Sequence, residues 1–177
     1  TYPGQRGLNQ GAGGGGEWTG SDPTVNEDPA KALEEVNQHM KQRGYEPKDP
    51  AVHNENMQQN GVVAYAVQAV RGSCYAAVGI AKPDNDLNLF IIDPAGRTVS
   101  YNVTPTAYPY VTFCPTQSGR YTARLQMASG SGEYYYAIYE GAPNANPQLA
   151  ELLGGGRGAT AETAKLGVTE ELEPLLE

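Results

Sequence analysis

Few residues in this chain are of types that do chemistry, and they are poorly grouped. There are two cysteines, Cys74 and Cys114, two histidines, His39 and His53, and three neighbouring aspartates, Asp84, Asp86 and Asp93. Hydrolytic triads need a nucleophile, a base and an orienting acid brought together. Both histidines lie outside the strand-forming block, and Ser129 and Ser131 sit in a glycine turn without a nucleophile-elbow motif. No residue is assigned a catalytic role, and the expectation is a protein that is not an enzyme and uses no cofactor. His39 and His53 read as surface histidines. The glycine-rich stretch at 11–16 lacks the Lys-Ser/Thr that follows a phosphate loop.

Asp84, Asp86 and Asp93 offer oxygen atoms of the kind calcium takes, but their spacing is not that of an EF-hand loop. A hydrated turn before a strand explains the same residues, so no metal site is assigned. Two cysteines cannot supply a four-ligand structural zinc site. Either they are two buried thiols or they form a disulfide, and the disulfide is the expectation. As a link between sheet ends, tying the two layers together, it closes a loop of about 40 residues and stabilises by roughly 3–4 kcal/mol.

The 12 tyrosines raise a sugar-stacking reading. On a strand, Tyr134 and Tyr136 point one way and Tyr135 and Tyr139 the other. One set faces a core, and the other, with Tyr108 and Tyr110, is a candidate glycan-binding set. The alternatives are half-buried tyrosines with wet hydroxyls, or a protein interface.

These residues sit on a block of short strands over 62–140. Val62 to Val70 is apolar and β-branched, and Cys74 to Ala81 repeats the pattern. Leu87, Leu89 and Ile91 alternate with Asn88, Phe90 and Ile92. Asp93-Pro94-Ala95-Gly96 is a turn signal, with proline presetting φ. Strands follow at 97–103, 110–114, 121–127 and 133–140. Six or seven short strands with regular turns predict an antiparallel β-sandwich. No helical period interrupts them.

Three stretches carry a family resemblance: Cys-Tyr-Ala-Ala-Val at 74–78, Asp-Leu-Asn-Leu-Phe-Ile-Ile-Asp-Pro-Ala-Gly at 86–96, and Phe-Cys-Pro-Thr-Gln-Ser-Gly-Arg-Tyr-Thr at 113–122. Together with Gly-Ser-Gly-Glu-Tyr-Tyr-Tyr at 130–136, they resemble the bacterial pre-peptidase C-terminal domain over about residues 58–140. Asn88 stands where that pattern has a second aspartate. The resemblance implies a jelly-roll-like sandwich in exported bacterial proteins, with a role in binding or assembly.

The expected layout is a glycine-rich arm (1–25), a helix and polar linker (26–60), the sandwich (61–141) and a docking tail (142–177). The helix, at about 29–43, has Asp28 as N-cap, Pro29 in its first turn and Gly44 as stop. Ala32, Leu33, Val36 and Met40 form its apolar stripe. In the arm, Trp18 is a candidate partner anchor, the alternative being a plain tether. In the tail, Leu149, Leu152, Leu153, Leu172 and Leu175 need a surface to cover them, and the alternative is a disordered end.

The net charge is −8, from 12 Lys and Arg against 20 Asp and Glu, which opposes nucleic acid and anionic membranes. No run of 18 apolar residues predicts a membrane span. The chain starts at Thr1, so either an export signal has been removed or it is a fragment. A disulfide favours export to the periplasm, outer envelope or exterior. Protein partners in a larger assembly are expected. Carbohydrate is the alternative partner, in an accessory module of a secreted hydrolase. Asn102-Val103-Thr104 matches a glycosylation acceptor.

Overall fold

The computed structural model describes residues 22–154. Helix α1 (Pro29–Gln42) is followed by eight strands: β1 (Tyr45–Met57), β2 (Val62–Ala69), β3 (Cys74–Ala81), β4 (Asp86–Ile92), β5 (Thr98–Asn102), β6 (Tyr110–Phe113), β7 (Gly119–Ser129) and β8 (Gly132–Gly141). A short helix, α2 (Ala150–Leu153), closes the described chain. All strand pairs are antiparallel. They form two four-stranded sheets, β1-β8-β3-β6 and β2-β7-β4-β5. This is the jelly-roll order, two Greek keys laid face to face. The expected β-sandwich with one N-terminal helix is the fold.

Between the sheets lie Leu87, Leu89, Ile91, Ala123, Leu125 and Met127, all fully buried. Each alternates with a more exposed neighbour, because the outer face of β2-β7-β4-β5 meets water. The opposite sheet differs. Every residue of β3 is buried. Its outer face is covered by α1, whose Ala32, Val36 and Met40 are fully buried. A strand covered on both faces reads as a continuous apolar run, which is what 74–81 is.

Gly79 lies where the layers approach. A Cβ there would stand 2.9 Å from Leu87 Cδ2, 3.1 Å from Leu125 Cδ2 and 3.2 Å from Pro109 Cγ. Both leucines belong to the facing sheet, so a methyl group at 79 overpacks the core.

The stretch at 44–60, expected as a polar linker, carries β1, so the sandwich begins at Tyr45. β1 is an edge strand pairing only with β8, with a register shift between Pro47 and Val52. An edge position tolerates proline and polar residues, which hid the strand from its sequence.

At the start of α1, Asp28 has extended backbone but makes no side-chain cap bond. Asn26 Oδ1 accepts the Asp28 N–H at 2.8 Å, and the Asn26 N–H donates to Glu35 Oε1 at 2.9 Å. The helix stops as expected at Gly44, whose φ of +88° suits glycine.

The disulfide is present, with a Cα–Cα distance of 4.2 Å. Tyr75 pairs with Phe113 in the β3–β6 ladder, so Cys74 and Cys114 face each other one step beyond it. The bond therefore lies within one sheet. The expectation that it ties the two layers together is corrected, because the strands flanking the two cysteines are sheet neighbours.

The segment at 142–154 folds back beside α1. Leu149 and Leu153 are buried in the core. His39 Nε2 donates to the Pro147 carbonyl at 2.6 Å, Tyr45 Oη donates to the Ala145 carbonyl at 3.2 Å, and Arg43 pairs with Glu151 at 3.6 Å. The Thr24 N–H donates to the Leu152 carbonyl at 3.0 Å, so the two ends of the described chain lie side by side. No helix among the described residues is long and apolar enough to cross a membrane.

Candidate binding surfaces

Three of the four tyrosines proposed for sugar stacking, Tyr110, Tyr135 and Tyr139, share one face, and α1 packs on it. Tyr139 is fully buried, and its hydroxyl donates to Asn37 Oδ1 on α1. Tyr108 is also buried, at 6% exposure. The register carries Tyr110 through Val78 to Ala137, two residues from Tyr135, so both lie on that same outer face, half-buried. Tyr108 and Tyr139 therefore offer no ring to a ligand, and at Tyr139 the helix packs where a sugar would stack.

The inward pair, Tyr134 and Tyr136, joins an aromatic cluster where β1 and β2 close one side of the sandwich. His53 stacks on Tyr65 at 4.2 Å between centroids, and Tyr65 stacks on Tyr136 at 4.8 Å with planes 3° apart. The hydroxyls of Tyr65 and Tyr134 are 2.6 Å apart. Burial raises the pKa of both phenols, as it does for Tyr136, so all three are neutral at physiological pH. His53 is thus a β1 residue stacked on an aromatic column. The Tyr136 hydroxyl is buried without a hydrogen-bond partner. Tyr136→Phe is therefore expected to leave stability unchanged or raise it by about 1 kcal/mol, as chemical denaturation would measure. A loss of stability would mean that the hydroxyl has a partner, such as a trapped water.

The three candidate calcium ligands do not converge. Asp93 lies just beyond the far end of the seven-residue β4 from Asp86, roughly 20 Å along the strand. Its Oδ1 accepts the N–H groups of Ala95 and Arg97 at 2.9 and 2.8 Å, and its Oδ2 meets Arg97 Nε at 3.3 Å. That carboxylate builds its own turn. A hollow of about 340 Å³ lies beside it, lined by Asp93, Pro94, Arg97, Gln117 and Tyr121. Asp84 is exposed. Among the described residues, no group of three His, Cys, Asp or Glu is placed to hold a metal.

Asp86 is the unusual carboxylate. Desolvation raises its pKa to about 6, against the partial relief of a backbone hydrogen bond from Thr106, and its Oδ1 is buried without a partner. Between the unfolded value near 3.8 and the folded value near 6, the folded chain holds more protons. Stability is therefore fullest below the unfolded value and falls as pH rises through 6. Asp86→Asn is expected to stabilise the protein at pH 8, by about 1–2 kcal/mol after allowing for partial solvent access, and to have little effect at pH 4. Thermal melts of both proteins across that range check it. Equal effects at both pH values would contradict the raised pKa.

Asn102 is buried at 3% exposure, and its Nδ2, where a glycan would attach, donates to the Tyr110 carbonyl at 3.0 Å. The acceptor motif at 102–104 is thus structural. Asn102 and Ser100, whose Oγ donates to the Thr112 carbonyl at 3.2 Å, join edge strand β5 to edge strand β6 of the other sheet.

Of the partner-binding leucines, Leu149 and Leu153 turn their apolar surface into the chain's own core, and Leu152 is half-buried against it. The segment is its own docking peptide, which removes Leu149 and Leu153 as partner contacts. Trp18, Leu172 and Leu175 lie outside the described residues.

The sheet edge best suited to main-chain pairing is that of β2. β2 is the outermost strand of its sheet and pairs only with β7. Its outward residues are exposed along its length, with Val62 at 53% and Val70, just past its end, at 51%. No charged residue occurs from Gly61 to Val70. The signal was in the sequence, since an uncharged apolar strand at a sheet edge is an invitation to pairing. What the sequence withheld was that this strand is an edge.

The fold and these surfaces define an antiparallel jelly-roll β-sandwich with a helix-covered face and an open edge. No protein-family model matches the chain, and no curated protein matches it. The sandwich implied by the pre-peptidase C-terminal resemblance is present, while membership of that family has no family-model support. Among solved structures, the chain is similar to PliG of Aeromonas hydrophila, a periplasmic inhibitor of g-type lysozyme. That match has 12% identity over 55% of this chain and 86% of that one, with a TM-score of 0.42. It is also similar to the Yersinia pseudotuberculosis-derived mitogen, at 12% identity over 54% and 87% with a TM-score of 0.37. A third is the carbohydrate-binding module CBM6cm-2 of Cellvibrio mixtus lichenase 5A, at 11% identity over 53% and 88% with a TM-score of 0.34. Likenesses this distant carry no ligand or partner over to this chain.

Proposed function

We propose that this chain is a non-enzymatic interaction or structural subunit of an exported bacterial assembly, built on a sandwich of the pre-peptidase C-terminal type. The observation that carries the reading is the unguarded edge of β2. Soluble proteins blunt their sheet edges with charge, proline, bulges or short strands. β1 carries Glu46, Pro47, Lys48 and a register shift, and β6 is four residues long between Pro109 and Pro115. β2 carries none of these. A partner strand laid along it gains main-chain hydrogen bonds without displacing any strand among the described residues.

The disulfide supports export, since such bonds persist in oxidising compartments. The periplasm, outer envelope or exterior is the proposed location. The glycan-binding alternative has lost two of its four tyrosines to the core and is not advanced.

The test is native co-purification from the source organism with the full chain and with Ala66→Lys, which places a charge on the open edge. Partners retained by the native chain and lost by a folded Ala66→Lys chain support the reading. Identical partners on both would remove β2 as the contact.

A further inference from the structure

We propose that the free edge of β2 pairs with β2 of a second copy of this chain, antiparallel about a two-fold axis at Ala66. The inference rests on the reading of β2 as the contact edge and names its occupant.

Three observations carry it. The first is which backbone groups are free. The Met127 N–H donates to the Gly61 carbonyl at 3.0 Å, so the odd-numbered residues that follow turn their amide groups toward β7. Those of Val62, Ala64, Ala66 and Gln68 then point to the open side. Val70 closes the run, because its N–H donates to Tyr75 Oη at 2.8 Å and its carbonyl accepts the Ser73 N–H at 3.2 Å.

The second observation is charge. The chain carries −8 overall, so two copies repel at most surfaces. Along β2 there is no charge from Gly61 to Val70, and a second copy meets no like charge across the strand.

The third is register. With the axis at Ala66, Ala64 lies opposite Gln68 of the second copy, and Val62 opposite its Val70. Inward residues meet inward residues, as the pleat requires. Two of the three large apolar side chains exposed among the described residues, Val62 and Val70, then cover each other. Ala64, Ala66 and Gln68 contribute about six main-chain hydrogen bonds across the axis. The two β2-β7-β4-β5 sheets become one eight-stranded sheet with an isologous interface.

The experiment uses the full chain. Sedimentation of the native protein from about 10 μM to about 1 mM is expected to show a monomer–dimer equilibrium. Hydrogen exchange at Ala64, Ala66 and Gln68 is expected to slow as the dimer fills. Ala66→Lys sets two like charges opposite each other at the axis and is expected to weaken the dimer at least tenfold while keeping its circular dichroism. Ala66→Cys is expected to crosslink with its twin under oxidation, and Ala64→Cys much more slowly. A native chain that stays monomeric at about 1 mM overturns the inference. So does a dimer indifferent to Ala66→Lys or crosslinking equally at both positions. Neither result touches the reading of β2 as a contact edge for another protein, which the co-purification comparison decides by itself.

Discussion

Tyr139→Ala is expected to destabilise the sandwich by about 3–5 kcal/mol, a loss comparable to the whole stability of a marginal domain. The ring is fully buried between β8 and α1. Truncation removes its apolar contacts and leaves a void under a helix that depends on packing, since an isolated 14-residue helix is marginal in water. It also strips Asn37 of the hydroxyl donated to it. Tyr139→Phe separates these effects. It keeps the ring and loses only the bond to a half-buried Asn37, at about 1 kcal/mol. Urea denaturation of both variants reads the difference. Similar small losses in both would place Tyr139 at a yielding surface and reopen it as a ligand contact. The consequence for glycan binding is direct. Lost binding in Tyr139→Ala would report unfolding, so Tyr135→Ala, at a half-exposed position, is the informative variant.

What could be read from the sequence follows the physics of burial. Strands β4 and β7 are covered on one side and wet on the other, so Leu87-Leu89-Ile91 and Tyr121-Ala123-Leu125-Met127 declare their alternation openly. The turn at Asp93-Pro94-Ala95-Gly96 has Asp93 holding two backbone N–H groups and Gly96 at φ +90°, as its residue types imply. The helix was legible from Pro29, Gly44 and the stripe of Ala32, Val36 and Met40. The stripe does not say what it covers. That the helix lies on the tyrosine-bearing outer face, and so buries Tyr139, is a tertiary fact with no local sign.

β1 was missed because an edge strand needs only one ladder and one apolar side. Tyr45, His53 and Met57 are thinly spaced among prolines and polar residues. The tail was half legible. Leu149 and Leu153 did need a surface, and they found it within the chain, beside α1, where His39 holds the Pro147 carbonyl. The cysteine pairing was open to arithmetic, but whether the bond joins two sheets or two strands of one depends on strand order. That order is fixed by contacts distant in sequence.

That placement governs the second large effect. Cys74→Ala with Cys114→Ala is expected to cost on the order of 4 kcal/mol, the loop-closure entropy of a link spanning 40 residues, and to lower the melting temperature by roughly 10–15 °C. Reducing the native protein should do the same, because Cys114 is exposed and open to a thiol reductant. The damage should begin at β6. That strand is four residues long, pairs only with β3, and is otherwise held by the side chains of Ser100 and Asn102 and by ring contacts of Phe113 with Tyr75 and Tyr121. With the sulfur link gone, hydrogen exchange at Val111 and Phe113 is expected to quicken before that of the central strands β3 and β7. A link between the layers would instead loosen both sheets together. If the reduced protein melts within about 2 °C of the oxidised one, the hydrogen bonds and ring contacts of β6 suffice without it, and the bond is incidental to the fold. If exchange quickens uniformly, β6 is not the weak strand, and opening is global from the start.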